Sequence, residues 1–300
     1  MSGILTLYYH RVNELEHDYN LLAVTNENFK QQMLYLKKNY NIVRAEDDWS
    51  SVNDDSVCIT FDDGYKDFYL NVMPIVEDLG VPVSVFVTGG ILDEIKEFWW
   101  DQLEDCIFCD TRELPQFELL DDEFGYTFNM STLAHKIDSY NSLHFIMKNL
   151  IDSKKRNQWL EQLRRWSKVR HRVDETMSKG DLKTLSNNPL VTIGAHTMTH
   201  PSLKTLSGDE QRNEIYRSIE IIEDIIQRKV CVFSYPFGQK EFDFDTNTIA
   251  IIGETGVEKA FSTNSGTWTE GEGKYDIPRI CVRDWGVQEF KERMNELWDK

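Results

Sequence analysis

Short apolar runs, each closing on a polar or titratable residue, alternate along this 300-residue chain with stretches of helical periodicity. Ile4 to Tyr9 leads to His10, Val57 to Phe61 to Asp62-Asp63-Gly64, Val191 to Ala195 to His196, and Val230 to Tyr235 to Pro236. Pro82–Val87, Lys259–Ser262 and Ile280–Val282 read as further strands. Between them Phe29, Met33, Leu36 and Tyr40 recur at helical spacing, as do Phe68, Val72, Ile75 and Leu79, where Pro74 should kink the helix or split it in two. Ser207 and Glu210 form a capping-box signature ahead of an apolar stripe of Ile215, Ile219, Ile222 and Ile226. Ile249–Ile252 belongs to another helix, and a last one runs through Phe290, Met294 and Leu297. This alternation predicts a parallel sheet, open or closed into a barrel. In such folds sites form at the carboxyl ends of the strands, so the polar strand ends can converge on one face although they lie far apart in sequence.

The length suits one α/β barrel domain, 1–300, carrying a polar, helix-rich insertion over 93–188. A formal net charge of -18 argues against nucleic acid, whose binding depends on Lys and Arg neutralising phosphates, and disfavours an anionic membrane surface. A neutral or cationic substrate suits it better, although surplus acid more often serves solubility. The opening Met1–His10 lacks a basic region followed by a long apolar run, and no stretch approaches the ~20 apolar residues that span a bilayer. Cys58, Cys231 and Cys281 fall in strand-like runs, and the Cys106/Cys109 pair has no second pair to complete a zinc site. The expectation is a cytoplasmic protein with free thiols.

His196-Thr197-Met198-Thr199-His200 sets two imidazoles four residues apart, the spacing of a bidentate metal clip. Alone the pair is weak, and Gly194 and Pro201 favour a strand-to-turn placement over a helix. Asp62-Asp63-Gly64 adds two adjacent carboxylates at an apolar strand end, which are expensive to desolvate without a countercharge. An Asp-Gly turn is the plain alternative, but a helix follows and no hairpin partner is in sight. A cation provides the missing charge, with one acid ligating while its neighbour faces the reacting water. Two His, one Asp and an open position make a hydrolytic metal site, where the cation polarises a carbonyl, a second carboxylate is the base and a histidine protonates the leaving amine.

Thr60-Phe61-Asp62-Asp63-Gly64 and His196-Thr197-Met198-Thr199-His200 resemble the first two motifs of the polysaccharide deacetylases, carbohydrate esterase family four, and Ser234-Tyr235-Pro236-Phe237-Gly238 is similar to the third. The resemblance implies a distorted, incomplete (β/α) barrel and a hydrolase that removes N-acetyl groups from an amino sugar or glycan. It makes Asp62 the general base, and Asp63, His196 and His200 the ligands of one divalent metal ion, zinc foremost, with cobalt, nickel or iron as alternatives. Tyr235, Pro236 and Phe237 would line the substrate groove, the backbone N–H of Phe237 binding the oxyanion. Two departures stand out. The family's third motif carries an Arg two positions before its Pro to orient the base; here that position is Ser234, and Arg279 is the candidate stand-in. The late Leu-x-His that supplies the acid is missing, since no histidine follows His200. Leu7-Tyr8-Tyr9-His10-Arg11-Val12 instead resembles the N-terminal segment of circularly permuted members acting on poly-N-acetylglucosamine, which makes His10 the candidate acid.

His17, His135, His144 and His171 read as surface residues. In the insertion, Trp99 and Trp100 read as core with a groove-rim alternative, and the basic residues Arg164, Arg165 and Lys168–Arg172 as a solvated face. Trp285 lines the groove or simply packs. Three other readings remain at this level: a deformylase or O-acetyl esterase with the same machinery, a catalytically impaired glycan-binding protein, and an unrelated metal-dependent amidohydrolase.

Overall fold

The computed structural model describes residues 3–52, 54–93, 95–108, 114–121, 125–149, 152–170, 172 and 175–298. They form two compact units, 1–94 with 175–300, and 95–174.

The larger unit is built on an eight-stranded, all-parallel sheet: β1 (Ile4–Tyr9), β2 (Asn41–Val43), β3 (Ser56–Phe61), β4 (Val83–Val87), β5 (Val191–Ala195), β6 (Val232–Ser234), β7 (Lys259–Phe261) and β8 (Ile280–Cys281). The order is β7-β6-β5-β4-β3-β1-β8, with β2 on the first half of β3 and β4 on its second half. β3, β4 and β5 are buried along their whole length, as their unbroken apolar runs require in a sheet covered on both faces. The sheet curls: Phe261 bridges Ile277 and Leu7 pairs with Ile280, so the segment into β8 joins the two edges. The result is the distorted barrel expected from the sequence. Register keeps the carboxyl ends level, with Tyr9 beside Phe61, Phe61 beside Val85, Val87 beside Ala195 and Ala195 beside Phe233.

Helices α1 (Asn26–Asn39), α2 (Met73–Leu79), α3 (Lys179–Leu185), α4 (Gly208–Ile226), α5 (Thr246–Glu254) and α6 (Val287–Trp298) complete the unit. Pro74 acts as anticipated. The helix is divided into a π-turn, Phe68–Val72, and α2, which takes the proline in its first turn and stops at Gly80 with φ +61°. The capping box of Ser207 and Glu210 starts α4, which buries Ile215, Ile219, Ile222 and Ile226.

The smaller unit holds helices Trp99–Phe108, Leu133–Asn149 and Ser153–Ser167 and an antiparallel hairpin, Gln116–Leu120 with Gly125–Asn129. The insertion expected over 93–188 thus corresponds to the compact unit 95–174, while α3 belongs to the barrel unit. Trp99 and Trp100 are buried, in line with the core reading. The solvated face expected of the basic run needs correction. Arg164 is buried and donates to Glu97 at 3.0 Å, and Arg172 donates through Nε to Asp105 at 2.6 Å. Among the described residues of the run, Arg165, Lys168 and Arg170 are exposed. His135 is exposed as expected, but His144 packs on the Trp99 and Tyr140 rings, and its burial lowers the imidazole to about 4. Cys58 and Cys106 are buried free thiols, and Cys231 and Cys281 are half-buried. Cys109 and His171 lie outside the described residues.

Candidate active site and metal centre

β3 runs out at Phe61, and the next three residues leave the sheet through a turn that few side chains tolerate. Asp63 has φ +73° and Gly64 φ +98°; a Cβ on Gly64 would sit 2.7 Å from Ile91 Cδ1. The Asp62 N–H donates to Tyr9 O at 3.0 Å, and Asp63 O accepts from Thr88 N–H at 3.0 Å. Neighbouring strands thereby fix the backbone of both acids.

The histidine segment leaves β5 through a second strained turn, with Thr197 at φ +61° and His200 at +55°. Glu214 of α4 holds it. One carboxylate oxygen accepts from the N–H groups of Met198 and Thr199 at 2.9 and 2.8 Å, and the other from Thr199 Oγ1 at 2.8 Å. Gly89 and Gly90 donate backbone N–H to Thr197 O and Met198 O from the far side. A Cβ on Gly89 would meet Met198 Sδ at 2.7 Å and the Ser218 Cα at 3.0 Å, so the close approach favours glycine.

These turns bring Asp63, His196 and His200 together. Their ligand atoms all lie within 4.8 Å of one another, and Asp63 Oδ1 is 3.5 Å from His196 Nε2 and 3.3 Å from His200 Nε2. Ligands held tetrahedrally at about 2.1 Å from one ion are spaced about 3.4 Å apart, so the separations fit a single small divalent cation. Two further observations agree. Asp63 Oδ1 is buried with no hydrogen bond of its own, as suits an oxygen reserved for an ion. His196 Nδ1 lies 2.7 Å from Ser234 O, which assigns the proton to Nδ1 and leaves the Nε2 lone pair facing Asp63.

Asp62 is held differently. Arg279 Nη1 and Nη2 donate to Asp62 Oδ1 and Oδ2 at 2.8 and 2.7 Å, a bidentate fork. The guanidinium is fully buried and all five of its N–H groups are engaged, the others reaching Ser262 O (2.9 Å), Thr60 Oγ1 (3.2 Å) and Ser234 Oγ (2.7 Å). Burial alone would raise the Asp62 carboxyl. The charge of Arg279, aided by His196 and His10, overrides burial and holds the group below its ordinary value. Arg279 therefore occupies the place against Asp62 that the sequence left vacant at Ser234, and Ser234 itself accepts one of its hydrogen bonds.

His10 follows β1, whose last residue is paired with the last of β3. Burial lowers its imidazole below the usual value, opposed by the nearby Asp63 and Asp62 and reinforced by Arg279 and Arg283. Its neighbour Arg11 is buried, donates Nε to Asp67 Oδ2 at 2.7 Å and Nη2 to Glu175 Oε2 at 2.6 Å, and lies over the Tyr65 ring. The Ser234–Gly238 segment leaves β6. Tyr235 is buried, stacked on Phe244 and donating its hydroxyl to Tyr275 O at 2.9 Å, so its side chain braces the wall rather than facing a groove. Phe237, at φ +59°, sets its ring edge-to-face against His200 at 4.8 Å. Trp285 is half-buried under Arg293, 4.3 Å from its ring.

Glu214, Thr60, Ser262 and the Arg11–Asp67–Glu175 cluster were not anticipated. Glu214 lies beside the Ile215–Ile226 stripe rather than on it and carried no signal of its own. The others depend on contacts across the fold and carried none.

A family model for polysaccharide deacetylases matches residues 50–107 and 140–260. The curated Bacillus subtilis protein YxkH is 24% identical over 92 residues, which is 31% of this chain and 32% of that relative, so the chain matches about a third of its length. Among solved structures, the Streptococcus pyogenes deacetylase PplD in complex with acetate superposes with a TM-score of 0.64 at 16% identity, covering 97% of this chain and 98% of that one. IcaB from Ammonifex degensii gives 0.62 at 17%, covering 98% and 97%. At such identities the superpositions speak for the fold.

Proposed function

The chain belongs to the polysaccharide deacetylase family, a family of hydrolytic deacetylases, and from that premise we propose that it is a metal-dependent hydrolase removing N-acetyl groups from an amino sugar or glycan. The observation that carries the proposal is the pairing of two differently held acids: Asp63 grouped with two imidazoles, and Asp62 clamped by a buried guanidinium.

Asp63, His196 and His200 would hold a divalent cation, which when bound would supply Lewis acidity toward the acyl carbonyl and toward water. The remaining work falls to the chain's own side chains. Asp62 stays anionic at neutral pH because Arg279 holds it so, and it takes the proton of the attacking water. Arg279 fixes the direction of that carboxylate through its fork. The backbone N–H of Phe237 donates to the developing oxyanion, and the rigid Tyr235-Pro236 turn keeps it in line. His10 is the donor to the departing amine; because burial lowers its imidazole, only its minor charged form at neutral pH gives that proton. The catalytically impaired alternative drew on the missing third-motif Arg and on the relocated acid; the Arg279 fork speaks against the first of these. No helix among the described residues is long and apolar enough to cross a membrane.

The test is metal analysis of the purified protein followed by acetate release from N-acetylated oligosaccharides. Asp62→Asn should keep the metal and lose turnover. A variant that hydrolyses as fast as the parent, or a parent that takes up no divalent ion, refutes the mechanism.

A further inference from the structure

The outer edge of the hairpin in the smaller unit carries a cavity that the deacetylase chemistry does not use. Strand Gln116–Leu120 pairs with Gly125–Asn129 on one side only, and helix Ser153–Ser167 runs along the other. In an antiparallel ladder alternate residues turn their N–H and C=O groups inward to the partner or outward to the edge. Here Met130 N–H bonds Pro115 O, so the odd positions face inward and Gln116, Glu118 and Leu120 face outward. The helix answers both backbone groups of Leu120 and the carbonyl of Gln116. Trp166 Nε1 donates to Gln116 O at 2.9 Å. Gln162 accepts from Leu120 N–H at 3.0 Å and donates to Leu120 O at 2.8 Å.

Glu118 is missed for a geometric reason. Gln162 and Trp166 are one helical turn apart, about 6 Å along the helix axis, while Gln116 and Leu120 are about 13 Å apart along the strand. The two helix side chains splay to reach their targets, and the gap opens over Glu118. A cavity of about 390 Å³ lies there, lined by Gln116, Phe117, Glu118, Gln162, Arg165 and Trp166. Among the described residues nothing pairs with the outward N–H and C=O of Glu118.

We propose that this cavity binds one N-acetylated amino sugar unit of a glycan chain, as an accessory subsite. The acetamido carbonyl accepts from Glu118 N–H, a ring hydroxyl donates to Glu118 C=O, and the acetyl methyl and apolar sugar face lie on the Trp166 indole. Trp166 is itself backed by Phe117 at 5.3 Å. A second copy's strand is a poor occupant. Strand addition needs a run of open peptide groups, and the Gln116 carbonyl and both groups of Leu120 are already taken by Trp166 and Gln162. A de-N-acetylated sugar fits less well, because its ammonium cannot accept from an N–H and brings no methyl. The substrate class rests on the deacetylase reading; the site's geometry does not.

The experiment is an NMR titration of the full 15N-labelled chain carrying Asp62→Asn, so that ligand is not consumed. An N-acetylglucosamine oligosaccharide is compared with the fully de-N-acetylated oligosaccharide of equal length. The Glu118 amide and the Trp166 indole N–H should shift and saturate with the acetylated probe, and respond at least tenfold more weakly to the other. Trp166→Ala should weaken saturation at Glu118 about tenfold, while acetate release from a monosaccharide substrate by the Trp166→Ala chain with Asp62 intact stays at the parent's rate. Absence of a shift at Glu118, equal responses to both probes, or shifts produced by protein concentration alone would each overturn the proposal. Failure of the deacetylase reading looks different: no acetate from the parent, whatever Glu118 does.

Discussion

Arg279→Met strips the guanidinium from Asp62 while keeping most of the buried volume. Both partners are nearly inaccessible, Arg279 at 0% and Asp62 at 4% exposure, so water cannot take over the lost contacts. Breaking such a pair from one side costs about 3–5 kcal/mol. Without its countercharge the carboxyl should rise, because burial, no longer opposed by Arg279, disfavours the anion. The pH dependence should reverse sign. In the parent the Asp62 carboxyl is depressed by Arg279, so its contribution is present at neutral pH and is lost as pH falls through the range below an ordinary carboxylate. In the variant it is raised, so the penalty shrinks as pH falls from 7 toward 5. The assay is urea unfolding followed by tryptophan fluorescence, at pH 7 and pH 5 and with chelator present so that no bound ion substitutes for the arginine. Asp62→Asn combined with Arg279→Met should recover most of the loss. A single variant less than about 1 kcal/mol below the parent at pH 7, or a double variant no better than the single, refutes the view that this pair is a mutually dependent buried unit.

Four further outcomes follow from named contacts. Glu214→Ala frees the turn carrying Thr197 and His200 and should weaken divalent metal binding by about 10- to 100-fold in chelator competition, and an unchanged affinity would dissociate the helix from the ligand set. Gly64→Ala forces a Cβ into φ +98° and against Ile91, so stability should drop by about 2 kcal/mol, only part of it returned by adding Ile91→Val. His10→Ala should slow amide hydrolysis far more than hydrolysis of an activated acetate ester, whose leaving group needs no proton; equal losses would count against an acid role. His144 titrates near 4 when folded and near 6.5 when unfolded, so acidification from 6.5 to 4 should remove stability on the order of 3 kcal/mol, and His144→Phe should flatten that slope.

The barrel was legible because its signal is local. A strand buried on both faces must be apolar throughout, and β3, β4 and β5 are short runs of that kind, bounded by residues that cannot continue them. The hairpin in the smaller unit was missed although its signal is equally local. Gln116–Leu120 alternates exposed and buried strictly, but the segment sits among polar helices and its period of two was outweighed by its surroundings. The buried Arg164 and Arg172 were misread for a different reason: a charge run looks solvated unless its partners are known, and Glu97 and Asp105 lie 67 residues away in sequence.

The same distinction separates the two halves of the site. Asp63, His196 and His200 could be grouped from the sequence because each ends or closely follows a strand of one parallel sheet, and level strand ends converge. Arg279 could be named only as a candidate, because what qualifies it is a distance across the barrel, from the segment before β8 to the end of β3. Ser234 shows why that distance has to be short. A serine at the end of β6 cannot reach Asp62 with a charge, but its hydroxyl accepts Arg279 Nη2 and leaves room for a guanidinium arriving from the other direction. With Thr60 and Ser262 occupying the remaining N–H groups, a lysine at 279 would leave several of these acceptors unanswered, so only a planar five-donor group satisfies the cavity. Arg279→Lys should accordingly fall closer to Arg279→Met than to the parent in the unfolding assay, although it keeps the charge.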